Sequence, residues 1–184
     1  RSTRSSCAST RGATSCAPKP GWPQRRLAGI GNRPRSLDPA LGDDQDRALW
    51  DGQRIEDGRA LLERALALRG GGPYVVQAAI ADLHVREPRD WEEIALLYER
   101  LEQLTTSPVV TLNRAIAVAE VEGPGAALAL LDGLELDGYR YYHSTRANLL
   151  GRVGRPDEAR AAYARALELS EPGPERRFLE GRLT

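Results

Sequence analysis

The chain has 184 residues, 41% of them hydrophobic, with one Phe, three Trp, no Met and a formal net charge of zero. That length allows one domain of ordinary size, or a smaller domain with a tail, whose core must come from Ala, Leu and Val. No stretch approaches the roughly 18 apolar residues of a membrane-spanning helix, and no apolar h-region near the start supports a signal peptide, so a cytoplasmic chain without membrane contact is expected.

Residues 1–42 form the first segment, rich in Ser, Thr, Arg, Gly and Pro. Residues 1–40 hold eight basic side chains and one acid, a local +7 that leaves −7 for residues 41–184. No run at period 2 or 3.6 occurs, and such a composition buries too little apolar surface to order itself, so a disordered basic arm is expected. Cys7 and Cys16, the two Cys, both fall here; with no His or further Cys nearby they read as unpaired thiols in a reducing compartment rather than as a disulfide or zinc site. The absence of Met leads to the expectation of a fragment or processed product. Lys19 is the sole Lys against 25 Arg, which removes lysine chemistry from the rest of the chain.

From residue 43 to 184 helical periodicity takes over. Breaks stand at "RGGGP" (69–73), "REPRD" (86–90), "TTSP" (105–108), "EGPG" (122–125), "LDG" (136–138), "VGRP" (153–156) and "EPGP" (171–174). Gly after a helix offers a left-handed C′ residue and Pro suits the first turn of the next. An all-α chain of about eight or nine helices is predicted.

These helices repeat. Ile94, Leu97, Tyr98, Leu101 and Leu104 lie on one helix face; Gly58, Leu61, Leu62, Ala65 and Leu68 repeat the spacing upstream, as do Ala127, Leu130, Leu131 and Leu134 and then Ala159, Ala162, Tyr163, Ala166 and Leu169 downstream. The intervals of 36, 33 and 32 residues, with two helices per unit, resemble the tetratricopeptide repeat, whose period is about 34. "GRPDEARAAYARALEL" (154–169) is similar to the second helix of such a repeat, with Gly154, Ala159, Tyr163 and Ala166 at its small and aromatic positions and Ala147 in the first helix. Small buried side chains let helices joined by short turns approach closely. Arg146 departs from the Leu usual in the repeat. A right-handed TPR-like helical-repeat solenoid is therefore expected.

A narrower resemblance follows. "DDQDRALWD" (43–51), "GPYVVQAAIADLH" (72–84), "DWEEIALLYERL" (90–101), "SPVVTLNRAIAVAEVEGPGAALALLD" (107–132), "LDGYRYYHSTRANLLGRVGRPDEARAAYARALEL" (136–169) and "ERRFLEGRL" (175–183) occur in this order. Together they resemble the TPR-like C-terminal extension of bacterial extracytoplasmic-function RNA polymerase sigma factors. In that family two promoter-reading domains lie upstream, and neither is recognisable in residues 1–42. The resemblance implies a regulatory, protein-interaction domain acting in transcription initiation through RNA polymerase or sigma domains in cis or trans, without sequence-specific DNA binding of its own. The alternative is a free-standing TPR adaptor that binds a peptide or helix in its concave groove.

No motif carries catalysis, and neither a metal nor a cofactor site is expected. "RGGGP" lacks the Lys and Ser/Thr of a P-loop. His143, Ser144 and Asp137 do not make a hydrolase triad, because adjacent helical residues point about 100° apart. His84 reads as a core or boundary histidine. The candidate partner-binding stretch is "DGYRYYHSTR" (137–146): Asp137 as an N-cap, then Tyr139, Tyr142, His143 and Arg146 at i, i+3, i+4 and i+7. Tyr and Arg are common interface anchors, yet Tyr142 and Arg146 can equally pack and pair within the solenoid. Asn113 and Arg114 sit on another first helix, where Arg114 either joins a groove or is simply solvated. Trp50 either staples the first helix onto the repeats or faces a sigma domain.

Overall fold

A computed structural model describes Arg47 and residues 50–183. The arm expected at residues 1–42 lies outside the described residues, as do Cys7 and Cys16. The described residues form eight α-helices and no strand: α1 Gly52–Ala67, α2 Pro73–Val85, α3 Trp91–Leu104, α4 Pro108–Val121, α5 Pro124–Leu131, α6 Arg140–Arg152, α7 Pro156–Glu168 and α8 Pro174–Leu183. The fold is all-α. All seven sequence breaks fall at helix boundaries.

Local chemistry sets these boundaries. Asp51 and Asp90 accept from the backbone N–H of Arg54 and Glu93, capping α1 and α3, while α2, α4, α5 and α7 start on Pro, which has no N–H to leave unpaired. The end of α6 follows the expected rule: Gly154 takes φ 79°, its N–H donates to Gly151 O at 3.1 Å and that of Arg155 to Leu150 O at 2.9 Å, a Schellman ending. At the end of α1 the expectation needs correction. The left-handed residue is Arg69, at φ 55°, not a glycine. Gly70 is instead required for close approach, since a Cβ there would stand 2.7 Å from the Ala65 carbonyl oxygen.

Each helix packs on its successor in the chain, and α4 also touches α6. Two apolar regions result. Val76, Ile80 and Leu83 of α2 close on Ile94 and Leu101 of α3 and on Val110 and Ala117 of α4. Further along, Leu112, Ala115 and Ala119 of α4 meet Ala127 and Leu131 of α5, Tyr142 and Leu150 of α6 and Ala159 of α7. Ala115, Ala127, Ala147 and Ala166 are fully buried, so small side chains stand where helices cross. α1 differs from the rest, with no buried residue of its own.

Polar contacts fasten the two ends. Arg59 of α1 donates to Asp82 Oδ1 of α2 at 2.6 Å, and Arg86 donates to Asp82 Oδ2. At the other end Glu175 of α8 accepts from the Tyr141 hydroxyl at 3.0 Å and pairs with Arg140 at 2.7 Å.

Candidate functional site

The sequence singles out residues 137–146, and the structure divides them. Asp137 is not an N-cap. The N–H of Tyr139 donates to Leu136 O at 2.8 Å, closing a tight turn through Asp137 and Gly138, so α6 starts only at Arg140 and Tyr139 takes the N-cap position. Tyr139 is half-buried against the second apolar region, edge-on to Tyr141 with ring centroids 5.3 Å apart. Tyr142 is 9% exposed and belongs to that region. Arg146 pairs with Asp132, after α5, at 3.0 Å. The structure thus favours packing and pairing for Tyr142 and Arg146.

His143 remains half-buried, edge-on to Tyr142 at 5.1 Å. Its Nε2 lies 2.9 Å from the Asp137 carbonyl oxygen; a carbonyl only accepts, so this geometry assigns the proton to Nε2. The Ser144 hydroxyl donates to Tyr141 O at 3.2 Å. His143 and Ser144 thus meet the carbonyls of Asp137 and Tyr141 and not each other. Among the described residues, no three or more His, Cys, Asp and Glu side chains gather as metal ligands.

Arg114 is not solvated. It reaches from α4 to Glu102 of α3 at 2.8 Å and to Glu99 at 3.6 Å, while its neighbour Asn113 is half-buried. Trp50 precedes α1 beneath the Arg47 guanidinium, 4.8 Å from its ring centroid, and Arg47 pairs with Glu87 at 2.9 Å and donates to Val85 O. Trp50 thus packs against Arg47, which itself holds the end of α2. The Arg47–Glu87 pair borders an open cleft of about 560 Å³ lined by Arg47, Glu87, Pro88, Arg89 and Trp91.

Asp82 and His84 are among the titratable groups that depart from their ordinary behaviour. Burial would push the Asp82 carboxyl up, but hydrogen bonds from Arg59 and Arg86 outweigh it and hold the carboxyl below its usual range. His84, edge-on to Trp91 at 5.8 Å, is pushed down, first by burial and then by the Arg89 charge.

The sequence reading did not single out Asp82, Arg59, Tyr141 or Glu175. Asp82 and Arg86 at i, i+4 on one helix were the available local signal; Arg59 and Glu175 join from distant helices and left none.

No protein-family model matches the chain, and no solved structure matches it. The chain is 49% identical over 149 residues to an uncharacterized protein of Rhizobium meliloti (strain 1021), a match covering 78% of this chain and 35% of the relative. The chain thus spans about a third of that relative's length. Among the described residues no helix is long and apolar enough to cross a membrane.

Proposed function

We propose that the chain is the regulatory, protein-interaction part of a bacterial extracytoplasmic-function sigma factor, a right-handed TPR-like solenoid that acts in the cytoplasm by contacting sigma domains or RNA polymerase. The observation that carries this reading is the ordered series of six sequence segments, from "DDQDRALWD" (43–51) to "ERRFLEGRL" (175–183). Helices that each pack on the next in the chain, with Ala115, Ala127, Ala147 and Ala166 fully buried among them, support the repeat. A relative of nearly three times the matched length leaves room for promoter-reading domains in the same polypeptide.

In this reading the chain adds protein contacts and not chemistry. Net −7 over residues 41–184 opposes approach to a phosphate backbone, so promoter reading belongs to other domains. The test is retention of purified RNA polymerase core, or of extracytoplasmic-function sigma domains supplied in trans, on the immobilised chain. Saturable retention of either is expected. Retention of neither by folded chain overturns the proposal, and binding of extended or helical peptides alone favours the free-standing adaptor.

A further inference from the structure

Where α8 meets α6, polar groups lie under a helix that brings little apolar cover. Leu179 is the buried hydrophobic residue that α8 contributes. Ser144 of α6 and Ser170, in the connection from α7 to α8, are each 7% exposed. The Ser144 hydroxyl donates its proton to Tyr141 O at 3.2 Å, and that of Ser170 donates to Ala166 O at 2.7 Å. A hydroxyl has one proton and two lone pairs, so each oxygen keeps its capacity to accept.

Arg140, at the start of α6, has the complementary need. Its Nη2 donates to the Tyr141 hydroxyl at 2.7 Å and pairs with Glu175 at 2.7 Å. Its Nε is buried and has no acceptor among the described residues. An unpaired buried donor is costly, because the bond it made to water in the unfolded chain is not replaced. A cavity of about 10 Å³ lies at this place, lined by Arg140, Tyr141, Ser144, Ser170, Glu175 and Leu179. One water requires about 10–15 Å³ and two to four polar partners.

We infer that this cavity is the site of one structural water, which accepts from Arg140 Nε and donates to the Ser144 and Ser170 hydroxyl oxygens. The water joins α6 to the α7–α8 connection beneath α8. One accepting and two donating roles match what the three side chains have left over, and about three bonds are usual for a buried water. Charged ligands fit less well. A metal cation would face the Arg140 guanidinium, and a halide would lie beside the Glu175 carboxylate. The site stands whether or not the chain contacts polymerase or sigma domains.

Crystal structures of the full chain and of two variants, grown with bromide present, test the site. In the parent, one water is expected about 2.7–3.2 Å from Arg140 Nε and within hydrogen-bond reach of both serine oxygens. Ser144→Ala deletes one partner and keeps the space, so the water should persist. Ser144→Val fills the space and should expel it. Hydrogen exchange gives a second reading, with the amides of α4 as reference. Both variants lose the bond from Ser144 to Tyr141 O, so α8 amides should exchange about three- to tenfold faster in Ser144→Val than in Ser144→Ala. Circular dichroism checks that both keep their helices. A dry cavity in the parent, a protein acceptor on Arg140 Nε, or anomalous bromide signal in place of the water overturns the inference. Equal α8 exchange in the two variants does so as well.

Discussion

Arg59 and Asp82 meet at 2.6 Å across 23 positions of sequence, and this contact fastens α1 to the rest of the protein. α1 buries none of its residues, so apolar packing supplies little of its attachment. Asp82 is itself buried and accepts from Arg86 on its other oxygen. Hydrogen bonds to charged groups contribute about 1.5–3 kcal/mol. Asp82→Ala is expected to cost about 1–3 kcal/mol and to free the α1 amides first, with fast hydrogen exchange over residues 52–67 while α4 stays protected. Uniform loss of protection would refute a local role.

The same carboxylate sets an acid limit. Its folded-state affinity for protons is depressed by the two arginines. The stabilisation is therefore complete above the unfolded Asp value of about 3.9 and is lost as pH falls below it. Asp82→Asn should remove this part of the acid sensitivity. A melting temperature of the variant that drops between pH 5 and 3 as steeply as that of the parent would remove Asp82 from the account.

His84 acts one step higher on the pH scale. Burial and the Arg89 charge disfavour its protonated form in the folded chain, so the unfolded chain binds more protons just below the ordinary His value of about 6.5. Stability conferred by the neutral ring is present above that value and falls as pH drops through it. The melting temperature should decline from pH 7.5 to 5.5, and His84→Gln should flatten the decline. Identical slopes in the two proteins would show that other groups carry it.

Within "RGGGP" the three glycines are not equivalent. A methyl at Gly70 would press on the Ala65 carbonyl oxygen, while Gly71 has open space. Gly70→Ala should lower stability by about 1–3 kcal/mol through overpacking, and Gly71→Ala should stay within about 0.5 kcal/mol. Thermal denaturation of both variants decides the matter, and equal effects would refute the close approach.

The helix boundaries were legible because Gly and Pro act locally. Pro73, Pro108, Pro124 and Pro156 each open a helix, and Gly154 closes one. Asp137 was misplaced for a related reason. A β-turn and an N-cap both favour Asp, and the sequence "LDG" does not say which occurs; the bond from Tyr139 N–H to Leu136 O makes it a turn. The pairing of Arg114 with Glu102 and of Arg59 with Asp82 depends on which helices become neighbours, and helical periodicity carries no information about that. The spacing of the α1 stripe was plain in the sequence, but not that it divides, with Leu62 and Ala65 half-buried and Leu61 and Leu68 exposed, since periodicity reports an apolar face and not which of its positions a neighbour covers.

The α6 stretch offers the last test, because packing and contact predict opposite outcomes for two of its residues. Tyr142 is buried against the second apolar region. Tyr142→Ala should cost about 3–5 kcal/mol, as truncating a large core aromatic does. Arg146 pairs with Asp132 at 3.0 Å, yet the Asp132 side chain is 69% exposed, and an exposed pair contributes about 1 kcal/mol or less. Arg146→Ala should therefore melt close to the parent, which leaves it fit for a binding assay while Tyr142→Ala is not. If Arg146 also anchors a partner, retention of polymerase or sigma domains should fall by tenfold or more in Arg146→Ala at unchanged stability, matching the roughly 2 kcal/mol that such anchors contribute. Unchanged retention would confine Arg146 to its bridge with Asp132, and with Tyr142 inside the core the contact surface would then have to lie elsewhere.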